Sequence, residues 1–129
     1  MNKYKTVLFI AVITLLIYAC SKTEDPINND NNVIIPTWFS PNNDGIKDEW
    51  KVEDPFNLID ISQFSAKIYD TAHKLVFLAV DKTKPWLGNK SDSVTPCDTG
   101  SYYYAVQYRS WTGISRFRAG TVFLSRKKP

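Results

Sequence analysis

Very little in this chain is equipped for chemistry. Its 129 residues hold two cysteines, one histidine and one methionine. None of them falls into the spacing of a phosphate-binding glycine loop, a zinc site or a paired-carboxylate centre. His73 and Cys97 are the one base-and-nucleophile pair on offer. Such a pair needs contact and a third group to orient the base, and solitary residues of this kind read as structural. No enzyme is expected. Charge of one sign is also missing: the formal +3 falls to about +1 once Lys3 and Lys5 leave with the leader described below. That balance does not point to nucleic acid, whose binders show clustered basic surface. After residue 32 no apolar set recurs at i, i+3, i+4, i+7, which argues against amphipathic helices. The length allows one domain.

The first nineteen residues stand apart. Two cations precede an almost unbroken apolar run at residues 6–18, and thirteen residues of helix span roughly 20 Å against about 30 Å of bilayer core. The run is a signal-peptide hydrophobic region rather than a membrane anchor. Its end, Ile17-Tyr18-Ala19-Cys20, resembles the lipobox cut by the lipoprotein signal peptidase. The resemblance implies that the sulfur of Cys20 receives a diacylglyceryl group before cleavage frees its amine, giving a stable anchor once two or three chains are present. Cys97 is then the only thiol left, so an exported domain has no internal disulfide and stands on packing alone. Residues 21–32 are polar and Asn-rich and bury too little to offset their ordering entropy; they read as a tether. Glu24-Asp25, just after the lipid, resembles the acidic export signal of surface lipoproteins of the Bacteroidetes, although a solvated linker looks the same.

From Val33 onward β-branched and aromatic residues dominate, with turn residues about every dozen positions. Strands are expected at 33–39, 49–52, 64–69, 74–80, 101–110 and 116–126, with a short extra one near Val94. Tyr102, Tyr104, Val106 and Tyr108 share one face, while Ala105, Gln107 and Arg109 lie on the other. Gly120, Val122 and Leu124 likewise oppose Thr121, Phe123 and Ser125. One buried and one wetter face is what an antiparallel two-layer sandwich requires. Asp70-Thr71-Ala72-His73 reads as a hairpin turn. Asp98-x-Gly100-x-Tyr102 has the spacing that enters strand F of immunoglobulin-like domains, where the tyrosine hydroxyl bonds back to the backbone. The expected fold is an all-β, immunoglobulin-like or fibronectin type III-like antiparallel sandwich of about seven strands.

Read in order, the domain resembles the gliding-motility-associated C-terminal domains, also called type B sorting domains of the type IX secretion system. Their opening phrase, Phe-Ser/Thr-Pro-Asn-Gly/Asn-Asp-Gly, is matched by Phe39-Ser40-Pro41-Asn42-Asn43-Asp44-Gly45. Ile68-Tyr69-Asp70 to Val76-Phe77 matches their hairpin, and Trp86-Leu87-Gly88 a tryptophan-containing loop. Gly100, Tyr102 and Tyr104 match a strand, and Ala119-Gly120-Thr121-Val122 to Arg126 the closing one. Leu87 stands where the family has Asp, and Ala72 or His73 where it has a hairpin glycine. Taken with the leader and lipobox, the resemblance implies three regions: a signal peptide at 1–19, a lipidated Cys20 and tether over 20–32, and the β domain over 33–129. It also implies an outer-membrane, surface-facing lipoprotein acting as a sorting or adaptor module with protein partners of the secretion or motility machinery. Family members usually end long secreted proteins, whereas here the domain follows a lipobox directly.

Two other readings stay open. Asn42, Asp44 and Asp48, with help from Glu49, resemble a short calcium loop; calcium is the one cofactor candidate, in a calcium-stabilised spacer. An EF-hand fails, because its bidentate Glu position falls on Lys51. The same residues also suit a tight turn whose side chains cap their own backbone. Among the four tryptophans, Trp86 and Trp111 are expected to be the exposed ones, and as a stacking pair they would suit glycan binding or adhesion. Cys97 could instead link two copies.

Overall fold

The computed structural model describes residues 32–127. The signal peptide, Cys20 and the tether up to residue 31 lie outside the described residues. The domain is all-β, with five strands: β1 Trp38–Phe39, β2 Ile59–Tyr69, β3 Leu75–Ala79, β4 Gly100–Ser110 and β5 Ser115–Leu124. They form one sheet in the order β1-β5-β4-β2-β3. Every pairing is antiparallel except β1 with β5, where Trp38 and Phe39 run beside Phe123 and Leu124. Among the described residues no helix is long and apolar enough to cross a membrane.

The sheet holds five strands rather than about seven because its covering layer is not built of strands. Of segment 33–39 only the last two residues pair with the sheet. The segments at 33–37, 49–53 and 86–97 meet through single bridges: Ile34 with Glu53, Trp50 with Trp86, and Asn89 with Pro96. Prolines at 36, 55, 85 and 96 interrupt this layer. Each removes a backbone donor, which keeps a ladder from growing past one rung. Val94 lies in a turn, exposed, with Asp92 Oδ1 accepting the N–H groups of Val94 and Thr95. In the other direction β2 starts five residues before the expected strand. Asp60 looks like a turn former and does accept bonds from Ser62, but the strand absorbs it as an irregularity between Asp60 and Ser65.

The core fills the space between sheet and covering layer. Tyr102, Val106 and Tyr108 are buried from β4, Val122 and Leu124 from β5, and Phe64, Ala66 and Ile68 from β2. The alternation read in the sequence is therefore the alternation of the fold. A bulge at Ile68/Tyr69 adds one residue to β3, and two consecutive side chains, Val76 and Phe77, then pack against the core. The β2–β3 turn closes as expected: Asp70 Oδ1 accepts the N–H groups of Ala72 and Lys74, at 2.9 and 2.8 Å. His73 takes the left-handed conformation, φ 61°, that a glycine adopts more readily, and its ring stacks on Tyr103 at 5.7 Å.

One ion pair is buried where β2 begins. Lys82 Nζ lies 2.6 Å from Asp54 Oδ2, with side-chain exposures of 14% and 2%. Asp54 also accepts the N–H groups of Leu58 and Ile59, so it joins the entry of β2 to the loop after β3. Burial alone would raise the Asp54 pKa. The bond from Lys82, the two N–H bonds and the lysine charge outweigh it, and the carboxyl titrates below its ordinary value. A depressed carboxyl pKa gives stability that is complete above the unfolded value, about 4, and lost as pH falls through the folded value. Lys82→Met leaves Asp54 uncompensated and is expected to cost about 3 kcal/mol at neutral pH. Asp54→Asn is expected to flatten the acid limb of the stability curve. Urea melts from pH 7 down to 3 check both, and an acid limb unchanged by Asp54→Asn would refute the assignment.

Candidate functional site

The opening motif folds back on itself. Asp48 Oδ1 accepts the N–H groups of Asn42 and Asn43, at 3.1 and 2.7 Å, and its Oδ2 that of Gly45, at 2.7 Å. Asn42 Oδ1 takes the N–H of Asp44, and Asp44 Oδ1 that of Ile46. Ser40 N–H donates to the carbonyl of Lys47, closing the loop at its neck. Burial pushes the Asp48 carboxyl up in pKa, but the converging N–H groups win and hold it below its ordinary value. Asn42, Asp44 and Asp48, the candidate calcium ligands, are thus brought together, each with oxygens engaged by the loop's own amides. Glu49 turns to Lys51 at 2.5 Å. Among the described residues no group of three or more His, Cys, Asp or Glu gathers in a way that could hold a metal. The tight-turn reading describes the geometry.

The loop delivers Phe39 and Pro41 to a second cluster, centred on Trp86. Trp86 is 2% exposed, which corrects the expectation that it stands out as a ligand platform. Its ring packs 5.0 Å from Phe39, 5.2 Å edge-on to Tyr102 and 6.4 Å from Phe77, and its Nε1 donates to the Asn89 carbonyl at 2.7 Å. Pro85 before it and Gly88 after it turn the chain inward, and the two-way bridge to Trp50 fixes its backbone. Trp111, in contrast, is 62% exposed in the β4–β5 turn. A stacking pair of Trp86 and Trp111 therefore does not form.

Gly88 sits where only glycine fits. Its φ is +74°, and a Cβ there would lie 2.7 Å from Leu124 Cδ1 and 3.1 Å from Pro41 Cγ. Its carbonyl accepts from Cys97 N–H at 2.8 Å and from an Arg126 guanidinium nitrogen at 2.5 Å. Arg126 Nε also donates to the Cys97 carbonyl at 2.9 Å. The basic residue that ends the closing motif thus clamps the covering layer to the end of β5. Composition gave no sign of this role; the position of a basic residue after the closing strand was the only signal available. Gly120 is likewise fixed by contact, since a Cβ would meet the Tyr104 ring at 2.6 to 3.1 Å. Tyr104 lies across it and against Trp50, at 5.9 Å, and Gly100 opens β4 opposite Leu124.

Tyr102 makes the tyrosine corner: its hydroxyl donates to the Asp98 carbonyl at 2.7 Å. Burial, with Cys97 beside it, pushes its pKa up to about 12. Cys97 is 3% exposed, and burial raises its thiol pKa despite the hydrogen bond with Tyr102. A buried thiol with raised pKa is a poor nucleophile and is not presented to a second copy. The expectation of a Cys97 link between chains is corrected accordingly. His73, on its exposed hairpin, is engaged with Tyr103 rather than with a thiol.

The polar chemistry of the motif is therefore spent on closing the fold, and what the domain offers outward is surface. The solvent face of the sheet carries Trp38 beside Phe123, then Tyr103 between Tyr69 and Thr121. Trp38, Tyr103, Phe117 and Phe123 are all exposed, with Lys47 Nζ 4.3 Å over the Trp38 ring. At the far edge, β3 borders a groove whose floor includes Val76, Phe77 and Trp86.

With this geometry in view, the comparisons agree with the motif reading. The chain matches the family model of the CHU_C type IX secretion signal domain over residues 33–123, and it belongs to that family. The match runs from the start of the covering layer through all of the sheet but Leu124, the last residue of β5. A search of curated proteins gives no match. Among solved structures, the chain is similar to the crystal structure of CopC from Methylosinus trichosporium OB3b. That similarity has a TM-score of 0.47 and 14% identity over 74% of this chain and 89% of that one. At that level the likeness fixes neither a site nor a function.

Two substitutions test the architecture of the site. Gly88→Ala is expected to cost about 2–4 kcal/mol through overpacking and a disfavoured φ, and Tyr102→Phe about 1 kcal/mol through the lost hydroxyl bond; both are read by chemical denaturation. Melting of the domain is expected to keep one midpoint in calcium and in chelator, while Asp48→Ala lowers it and speeds amide exchange at Asn43 and Gly45. A midpoint raised by calcium would restore the metal reading.

Proposed function

We propose that this chain is an outer-membrane lipoprotein, held by lipid on Cys20 and facing the cell exterior. Its β domain acts as a sorting or adaptor module of type IX secretion and of surface motility. It works by protein–protein recognition and carries out no catalysis. The observation that carries this reading is the family membership over residues 33–123. The geometry supports it from another side. The motif residues close the loop and anchor the covering layer, so the determinants available to a partner are the exposed aromatic sheet face and the open edge of β3. An exposed apolar patch on a small domain is a feature of interaction surfaces. Cys20 supplies the membrane contact, and the polar segment after it gives the domain reach.

A reading as a glycan-binding adhesin has lost one of its two tryptophans to the core, and a calcium-stabilised spacer has its ligand oxygens engaged by loop amides. Neither has a specific observation in its favour.

Residues 33–129 fused to a periplasmic reporter are expected to reach the cell surface in cells with a working type IX machine and to stay in the periplasm when that machine is disabled. Periplasmic retention in both strains would end the sorting reading. Full-length chain carrying Cys20→Ser is expected to move from the membrane fraction to the soluble one and to lose acyl label. Unchanged membrane association would remove the lipid anchor.

A further inference from the structure

The two edges of the sheet are not alike. β1 contributes two residues, and a lysine lies over its tryptophan. Shortness is one way natural sheets discourage further pairing; the lysine does not set the two edges apart, since Lys84 Nζ lies 5.8 Å over Phe77 of β3. β3, at the other edge, runs Leu75–Ala79 with no charge and no proline. Its bulge lies at the start, leaving residues 77–79 in regular register with β2. The Leu78 side chain is 43% exposed, and its carbonyl turns away from β2: it accepts a long bond, 3.4 Å, from Lys84 Nζ. The N–H of a strand residue points to the same side as its C=O, so Leu78 turns both groups outward.

Along this edge runs the groove bordered by residues 84–93. Its floor is apolar, formed by Val76, Phe77 and the edge of Trp86; its charged lining residues are Lys84 and Lys90, and none of its lining residues is acidic. The outward backbone groups of Leu78, midway along a strand edge, suit an extended chain. An apolar floor takes alternate side chains of that chain, and two ammonium groups with no carboxylate between them favour negative charge on the intervening ones.

We infer that the β3 edge and its groove receive an extended polypeptide strand of about five residues, in which apolar residues alternate with acidic ones, by addition to the sheet beside β3. The inference deepens the recognition reading and rests on it for the role of the bound strand. Binding itself stands on the geometry of the edge. Backbone pairing at Leu78 supplies the attachment, and Lys84 and Lys90 select the sign of charge. The Lys84 ammonium leaves the Leu78 carbonyl as the incoming N–H replaces it.

The test uses residues 33–129, which contain all the buried core residues described above, labelled with nitrogen-15. The probes are two synthetic six-residue peptides, one alternating valine and glutamate and the other valine and lysine. Saturable amide shifts centred on Leu78 are expected with the glutamate peptide, whose affinity should exceed that of the lysine peptide by about tenfold. Lys84→Glu combined with Lys90→Glu, both at the surface, should reverse that order while leaving the rest of the spectrum in place. No shift with either peptide, equal binding of both, or shifts centred on Tyr103 and Phe123 would each overturn the inference. The reporter-export experiment is independent of these peptides, so failure here and failure of the sorting reading are told apart.

Discussion

The burial of Trp86 is the contact on which the rest of the structure depends. A single five-stranded sheet has one face to hide, and the segments available to cover it are too broken by proline to form a second regular sheet. Trp86 compensates. Its indole fills the space among Phe39, Phe77 and Tyr102, while its backbone exchanges two hydrogen bonds with Trp50. Large aromatic rings bury more area per ordered residue than any other side chain, which suits a layer that has few residues to contribute. Arg126 and Gly88 then lock the same layer to the end of β5. In a domain whose one described cysteine is free, these ties stand where a disulfide might otherwise be placed.

In this architecture the motif residues are tied up in closing the fold. Asp48 organises a loop by gathering three N–H groups, Gly88 allows a close approach, Tyr102 satisfies a carbonyl at the entry of β4, and Arg126 joins two carbonyls across the layers. Each of these polar groups is satisfied internally. What such a module leaves facing outward is backbone edge and apolar surface.

Much of the fold could be read in advance. Strict alternation in residues 101–110 and 116–126 fixed the buried face of β4 and β5, because a strand turns its side chains by half a revolution per residue and a one-residue slip would expose all of them. The Asp98-x-Gly100-x-Tyr102 spacing gave the tyrosine corner, and Asp70 the hairpin, since both are local hydrogen-bond patterns that neighbours in sequence suffice to make. The covering layer was less legible: 49–52 and the stretch near Val94 have strand composition but meet their partners at single bridges. Five unexpected residues of β2 hid behind Asp60 and Ser62, whose turn chemistry is real yet accommodated inside an irregular strand.

The candidate site divides along the same line. Sequence by itself determined the class of fold, the family and the residues of the opening loop, because these depend on period, order and spacing along the chain. Only the tertiary structure decided that Trp86 is core while Trp111 is surface, that Cys97 is sealed, that Arg126 is a clamp, and that β1 and β3 are the edges of the sheet. Those outcomes depend on which distant segments come to lie over a given side chain. An aromatic ring flanked by proline and glycine looks the same in sequence whether water or Phe39 lies against it.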